Sequence, residues 1–175
     1  MSTSLRADLT RRLCLDAAFL TTAMTLSYLE SLIPFGLILP LPGFKLGLAN
    51  LAVTLAFVLI GWRDAAIISS LRILLMNVLF GSASSFFFSA LGGLFAFAAL
   101  ILASLLLKKC SYVGISALCA AAHNLGQLLA AVCLFGSGIL LSYLPVLLIA
   151  ALLSGSLSGI VLNLSIPTLK RSFHL

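Results

Sequence analysis

The chain has 175 residues, of which 62% are hydrophobic and 8% are charged, and its mean hydropathy is +1.27. This composition excludes an ordinary soluble domain and indicates a single transmembrane domain over residues 1–175. The formal net charge of +6 does not indicate nucleic-acid binding, because the basic residues form short clusters between apolar runs.

Apolar runs of about twenty residues recur along the chain, and each could cross a bilayer core of roughly 30 Å as a helix. The predicted fold class is all-α, an integral membrane bundle of six transmembrane helices. The predicted spans are residues 13–33, 44–61, 65–80, 86–107, 113–135 and 139–164. Residues 34–43 contain three prolines and two glycines. They cannot form a regular helix, and we expect them to lie at the membrane interface or to cover the protein as a lid.

Six spans place both termini on the same side of the membrane, and the basic residues indicate which side this is. The termini and the connections after the second and fourth spans carry eight of them: Arg6, Arg11, Arg12, Arg63, Lys108, Lys109, Lys170 and Arg171. The opposite connections carry none, since Lys45 lies at a span end. The positive-inside rule therefore predicts a multi-pass protein of the cell membrane with both termini in the cytoplasm.

Polar side chains inside the predicted spans mark a candidate binding site. Counting about 1.5 Å per helical residue, seven of them fall between the midplane and the outer surface. These are Glu30, Lys45, Asn50, Arg72, Asn77, His123 and Gln127. His123 and Gln127 are four residues apart and share a helix face, and Asn124 is one position round from His123. The set predicts one polar pocket that opens outward beneath residues 34–43.

Each of these residues also has a structural interpretation. Glu30 and Arg72 could neutralise each other as an ion pair, and Asn50 and Asn77 could form interhelical hydrogen bonds. His123 alone is more often a core histidine than a ligand-binding one. The small residues Ala122, Gly126 and Ala130 predict close helix packing, as do the pairs Gly43/Gly47 and Gly155/Gly159.

Catalytic motifs are missing from the sequence. There is no P-loop for ATP, no dinucleotide-binding glycine pattern and no Ser-His-Asp or HExxH arrangement. Only four carboxylates are present and none are paired in sequence, which disfavours a magnesium site for diphosphate chemistry. We therefore expect no enzymatic activity, no cofactor and no metal.

Four segments resemble a known family over about residues 13–165. They are YLESLIP at 28–34, LPGFKLGLAN at 41–50, LRIL at 71–74 with LFGS at 79–82, and AHNLGQ at 122–127. They are similar to the Gx transporter family, also labelled heptaprenyl diphosphate synthase component I. That family is related to the substrate-binding S components of energy-coupling factor (ECF) transporters.

The resemblance implies a six-helix bundle that captures a scarce nutrient outside the cell and releases it inside. It also implies partners, namely a transmembrane T component and two ATPase subunits. S components often present an AxxxA motif to the T component on their first helix. The nearest matches here are Ala17 with Thr21 and Ala18 with Thr22.

We expect the substrate to be a small organic molecule with an anionic group and an apolar body, because Arg72 and Lys45 supply positive charge. His123, Asn124 and Gln127 would supply hydrogen bonds. An alternative function is a non-catalytic membrane partner of a prenyl diphosphate synthase. A self-sufficient ion-coupled transporter is disfavoured, because neither inverted repeats nor broken helices are evident.

Overall fold

The computed structural model describes residues 3–33, 47–106 and 110–173, and within these ranges it contains six α-helices and one 3-10 helix. The α-helices are α1 (Thr3–Ser31), α2 (Ala49–Leu59), α3 (Trp62–Phe80), α4 (Ala83–Leu106), α5 (Tyr112–Phe135) and α6 (Leu144–Phe173), and the 3-10 helix is Gly138–Tyr143. The all-α prediction is confirmed for these ranges. The predicted lid at 34–43, Lys45 and Lys108–Lys109 lie outside the described residues.

Three helical stretches are long and apolar enough to cross a membrane: Ala83–Leu106, Tyr112–Phe135 and Gly138–Ser172. Helix α2 is apolar but has only 11 described residues. Helices α1 and α3 carry charged residues along their length, including Glu30 and Arg72. The structure therefore supports a multi-pass membrane protein, while the six-span topology and the orientation of the termini stay predictions.

Helix α1 begins at Thr3 and not at residue 13, α5 begins one residue earlier than predicted, and α3 and α4 also begin earlier. Residues 62–64, which we expected to form a connection, are the first turn of α3. The connection is instead made at Gly61, whose φ of 140° favours glycine. Helix α4 begins at Ala83 because the Ser82 hydroxyl accepts a hydrogen bond from the Ser85 N–H at 3.2 Å, which caps the helix.

The last predicted span, 139–164, differs most from the structure. Its first residues form the 3-10 helix, and α6 begins at Leu144 and continues to Phe173. Pro145 lies in the first turn of α6, where a missing N–H costs no helical hydrogen bond. Lys170 and Arg171 lie in the last turn, where positive charge interacts favourably with the helix dipole.

Helices α4, α5 and α6 pack closely through glycines. A Cβ atom at Gly126 of α5 would lie 2.5 Å from the Leu91 carbonyl oxygen of α4. A Cβ atom at Gly155 of α6 would lie 2.5 Å from the Ala117 Cα of α5, and Gly159 is equally close to Val113. The packing role predicted for Gly126, Gly155 and Gly159 is confirmed.

Helix α2 lies at the centre of the bundle. It packs against α1 and α3 on one side and also contacts α4, α5 and α6. Its residues Ala52 and Ala56 are fully buried in an apolar cluster with Phe19 of α1, Ile68 of α3 and Leu162 of α6. The N-terminal end of α2 is therefore the place where residues from both halves of the bundle can meet.

Candidate functional site

Glu30, near the C-terminal end of α1, is buried, with 3% of its surface exposed. Its Oε1 atom accepts a hydrogen bond of 2.6 Å from the backbone N–H of Gly47. Gly47 has a φ of 79°, a left-handed conformation that glycine adopts without steric cost. The Gly47 carbonyl in turn accepts from the Asn50 N–H at 2.9 Å. The carboxylate is thus joined to the first turn of α2.

His123 of α5 is buried, with 3% exposed, between two glycines. A Cβ atom at Gly47 would lie 3.4 Å from the His123 Cδ2, and one at Gly92 of α4 would lie 2.8 Å from its Cε1. The same Cβ at Gly92 would lie 3.0 Å from the Gln127 Cγ. His123 and Gln127 therefore share the face of α5 that packs against α4, as their spacing predicted.

Arg72 of α3 is also buried, with 7% exposed. Its Nη1 atom donates a hydrogen bond of 3.1 Å to the Ser27 hydroxyl of α1. Its Nε and Nη2 atoms have no hydrogen-bond partner among the described residues. Glu30 is close enough to interact with Arg72 electrostatically, but the hydrogen bond that holds the guanidinium comes from Ser27. The interaction predicted between Glu30 and Arg72 is therefore electrostatic, and the neutral Ser27 hydroxyl supplies the hydrogen bond.

These residues form one group, which we call the polar cluster. Ser27 and Glu30 are three residues apart on α1, so the partner of Arg72 and the partner of the Gly47 N–H lie on the same face of this helix. The members of the polar cluster are Ser27, Glu30, Gly47, Asn50, Arg72, His123 and Gln127. It joins the N-terminal half of the bundle to α4 and α5.

Two predicted site residues lie elsewhere, and one cannot be placed. The Asn124 Nδ2 donates to the Leu147 carbonyl of α6 at 2.9 Å, so this side chain turns away from α4. The Asn77 Nδ2 donates to the Ile73 carbonyl of its own helix at 2.7 Å. Lys45 lies outside the described residues. Both asparagines have local or interhelical structural contacts instead of contacts with the polar cluster.

Sequence reasoning missed Ser27, Gly92 and Gly93 as parts of this region, and it considered Gly47 only for packing. Ser27 had a weak signal, because it precedes Glu30 by three residues on α1. Gly92 and Gly93 gave a stronger one, since two adjacent glycines within an apolar helix indicate that another group comes close. A Cβ atom at Gly93 would lie 3.8 Å from the Arg72 Nη2.

A small cavity of about 10 Å³ lies beside the polar cluster, with walls from α2, α3, α4 and α5. Asn50, Ser69 and Gly93 are among its lining residues. This volume suits about one water molecule. The Nδ2 atom of Asn50 has no hydrogen-bond partner in the described ranges. Asn50 therefore brings an unpaired donor to this cavity, and Gly93, which also lines it, is close to the Arg72 guanidinium.

The side chains of the polar cluster determine which interactions it can offer. Among residues 3–33, 47–106 and 110–173, no group of three His, Cys, Asp or Glu side chains could hold a metal ion. The polar cluster contains one carboxylate, one guanidinium and one imidazole, which can form hydrogen bonds of both polarities to an organic molecule. Buried charge of this kind is costly unless another group meets it.

In a comparison with protein families, residues 19–165 match heptaprenyl diphosphate synthase component I. Comparisons with curated proteins and with solved structures gave no match. The matched region extends from α1 into α6 and contains the whole polar cluster. The resemblance seen in the sequence is confirmed, and the chain belongs to the heptaprenyl diphosphate synthase component I family.

Proposed function

We propose that this protein is the substrate-binding membrane subunit, or S component, of an ECF-type importer. The observation that carries the proposal is the polar cluster, in which Arg72 is buried with two unpaired donors and Glu30, His123 and Gln127 are buried as well. An interior needed only for stability would be better filled by apolar side chains, because incompletely paired buried charges cost free energy. A bound substrate with an anionic group would supply the missing acceptors.

The protein would depend on partner subunits for energy. Its sequence contains no P-loop, so uptake against a gradient would require two ATPases coupled through a transmembrane T component. We assign the protein no catalytic step of its own. Its role is to bind a small organic anion within the bilayer and to present it to the other subunits.

Helix α1 offers a face for the T component. Ala17, Ala18, Thr21 and Thr22 are exposed on it. The Thr21 and Thr22 hydroxyls donate to the carbonyls of Ala17 and Ala18 at 2.8 Å, so their polar atoms are satisfied within the helix. What remains outward is a surface of small groups on which another transmembrane helix could pack closely.

Two measurements test this function. The purified protein should carry or bind a small organic anion that mass spectrometry identifies. The protein reconstituted alone in liposomes should bind this molecule without accumulating it, and accumulation should require the partner complex and ATP. Accumulation by the pure protein would contradict the proposal.

A second candidate function is a non-catalytic membrane partner of a prenyl diphosphate synthase. The family name favours this second function. Such a membrane partner would also require an apolar site with positive charge. Affinity purification from native membranes distinguishes the two functions. A soluble synthase recovered in fixed proportion, without T component or ATPases, would favour the second one.

A further inference from the structure

A groove of about 570 Å³ lies between α3 and α4. This volume is within the range of small-molecule sites. Its lining is mainly apolar and includes Ile73, Phe86, Ala90 and Phe97, together with Ser69. Leu74 and Leu94, at its edges, are exposed, so the groove opens to the side of the bundle.

This groove adjoins the polar cluster. Ser69 and Gly93 line both the groove and the small cavity that Asn50 also lines. A Cβ atom at Gly93 would lie 2.7 Å from the Ile73 Cδ1 and 3.8 Å from the Arg72 Nη2. Gly93 therefore lies next to both the groove, which it lines, and the buried guanidinium of Arg72.

The unpaired atoms of Arg72 have a specific geometry. Its Nη1 atom is used by Ser27, and Nε and Nη2 have no hydrogen-bond partner in the described part of the chain. Nε and Nη2 form one planar edge of the guanidinium, with two parallel N–H bonds. This edge matches the two oxygens of a carboxylate, which it binds through two charge-assisted hydrogen bonds.

We infer that the α3–α4 groove holds the apolar body of a single-chain carboxylate whose head group binds the Nε–Nη2 edge of Arg72. This inference rests on the proposed binding function and specifies its substrate class and access route. A positive charge close to an apolar groove favours an amphipathic anion over a neutral lipid tail. Because the groove opens sideways, the ligand reaches the site from within the bilayer.

The test uses the full-length protein in detergent and a straight-chain carboxylate that carries a photoreactive diazirine in its tail. Peptide mass spectrometry should locate the cross-links on α3 and α4. The unmodified carboxylate should compete for labelling, whereas its methyl ester, which lacks the charge, should not.

Three variants sharpen the test. Ala90→Phe places a large ring in the groove and should abolish labelling, while Ala98→Phe, on an exposed position of the same helix outside the groove, should leave it unchanged. Arg72→Lys keeps the positive charge but loses the two-pronged edge, so affinity for the carboxylate should fall about tenfold. Circular dichroism should show that each variant stays folded.

Several results would overturn the inference. Equal competition by the methyl ester, or equal labelling of Arg72→Lys, would show that the groove binds hydrocarbon without reading the carboxylate. A phospholipid found in the groove by native mass spectrometry, and not displaced by the carboxylate, would show bulk lipid there. A different organic anion that co-purifies and is lost in His123→Ala, with no labelling on α3 or α4, would contradict the groove site and leave the proposed function standing.

Discussion

Gly126 and Gly155 bring the backbones of α4, α5 and α6 close together, because a Cβ atom at either position would lie 2.5 Å from a backbone atom of the neighbouring helix. Helices α1 and α3 are instead joined by hydrogen bonds between side chains. Ser27 bonds to Arg72 near one end of this interface, and Arg12 bonds to Asp64 near the other. The first group of helices includes all three stretches in the described ranges that are long and apolar enough to cross a membrane. We propose a division of roles, in which α4–α6 form a rigid support and α1–α3 supply charge for ligand binding.

The polar cluster lies where these two groups meet, and its residues follow the same division. The charged members, Glu30 and Arg72, come from α1 and α3, while α5 supplies His123 and Gln127. Gly92 and Gly93 of α4 provide the room that these side chains occupy. A rigid, closely packed α4–α5 pair would hold His123 in place while the charged helices determine which ligand binds.

The largest expected effect tests whether the α1–α3 half depends on its buried charges. Glu30→Ala removes the acceptor of the Gly47 N–H and the negative charge near Arg72. We expect the free energy of unfolding to fall by about 3–5 kcal/mol, the usual loss when one member of a buried charge pair is removed. Thermal unfolding in detergent measures this.

Glu30→Gln is the matched control, because its amide oxygen can still accept from the Gly47 N–H. It should destabilise the protein less than Glu30→Ala. Equal stability of both variants and the wild-type protein would show that Glu30 contributes nothing to the fold and would leave it as a residue for ligand binding alone.

The second prediction concerns the close packing of α4–α6. Gly126→Ala puts a methyl group against the Leu91 carbonyl, so α4 and α5 must separate. The free energy of unfolding should fall by about 1–3 kcal/mol, as for other overpacked interiors. Gly114→Ala in the same helix is the control, because its nearest neighbour would be the Ser111 Oγ at 3.7 Å. A similar melting temperature for both variants would contradict the rigid-support interpretation.

Sequence patterns located α5 to within one residue at its N-terminus, and physical signals explain why. Ser111 caps the helix by accepting from the Gly114 N–H at 3.2 Å, and Gly136 ends it with a φ of 64°. The start of α6 was wrong because the sequence of Gly138–Tyr143 is as apolar as the helix that follows. Hydropathy does not distinguish a 3-10 helix from an α-helix.

The sequence predicted the parts of the candidate site that depend only on residue spacing within one helix. His123 and Gln127 share a face because they are four residues apart. The partners of Glu30 and Arg72 were not predictable, since a backbone N–H at Gly47 and a hydroxyl at Ser27 leave no charge pattern in the sequence. The direction of Asn124 depends on the position of α6, which only the packed structure fixes.

The third prediction separates binding from stability within α5. His123→Ala should weaken affinity for the bound anion by about 1–3 kcal/mol, the penalty for an unsatisfied polar group. Water can occupy the space left in this polar region, so the melting temperature without ligand should change little. Equilibrium binding and thermal unfolding measure the two effects.

Asn124→Ala is the neighbouring control and should behave in the opposite way. It removes the hydrogen bond to the Leu147 carbonyl between α5 and α6, so the melting temperature should fall while affinity stays the same. If His123→Ala instead lowers the melting temperature without a change in affinity, His123 is a core residue and the site lies elsewhere.

The smallest expected effect comes from the ion pair between Arg12 and Asp64, with an Nη2–Oδ2 distance of 2.6 Å. It joins α1 to the first turn of α3, but 54% of the Arg12 side chain is exposed, so solvent and salt screen the attraction. The hydrogen bond to Asp64 raises the pKa of Arg12, so the contribution of this ion pair to stability is fully present at neutral pH and is lost only as the pH rises above the normal range for arginine.

Arg12→Gln should lower the melting temperature slightly at low salt and not at all at high salt. Asp64→Asn should cost less than Arg12→Gln, because the amide removes the buried charge and leaves an exposed, solvated Arg12. A loss as large as that of Glu30→Ala, unchanged by salt, would show that charge stabilises α1–α3 at this contact as strongly as in the polar cluster.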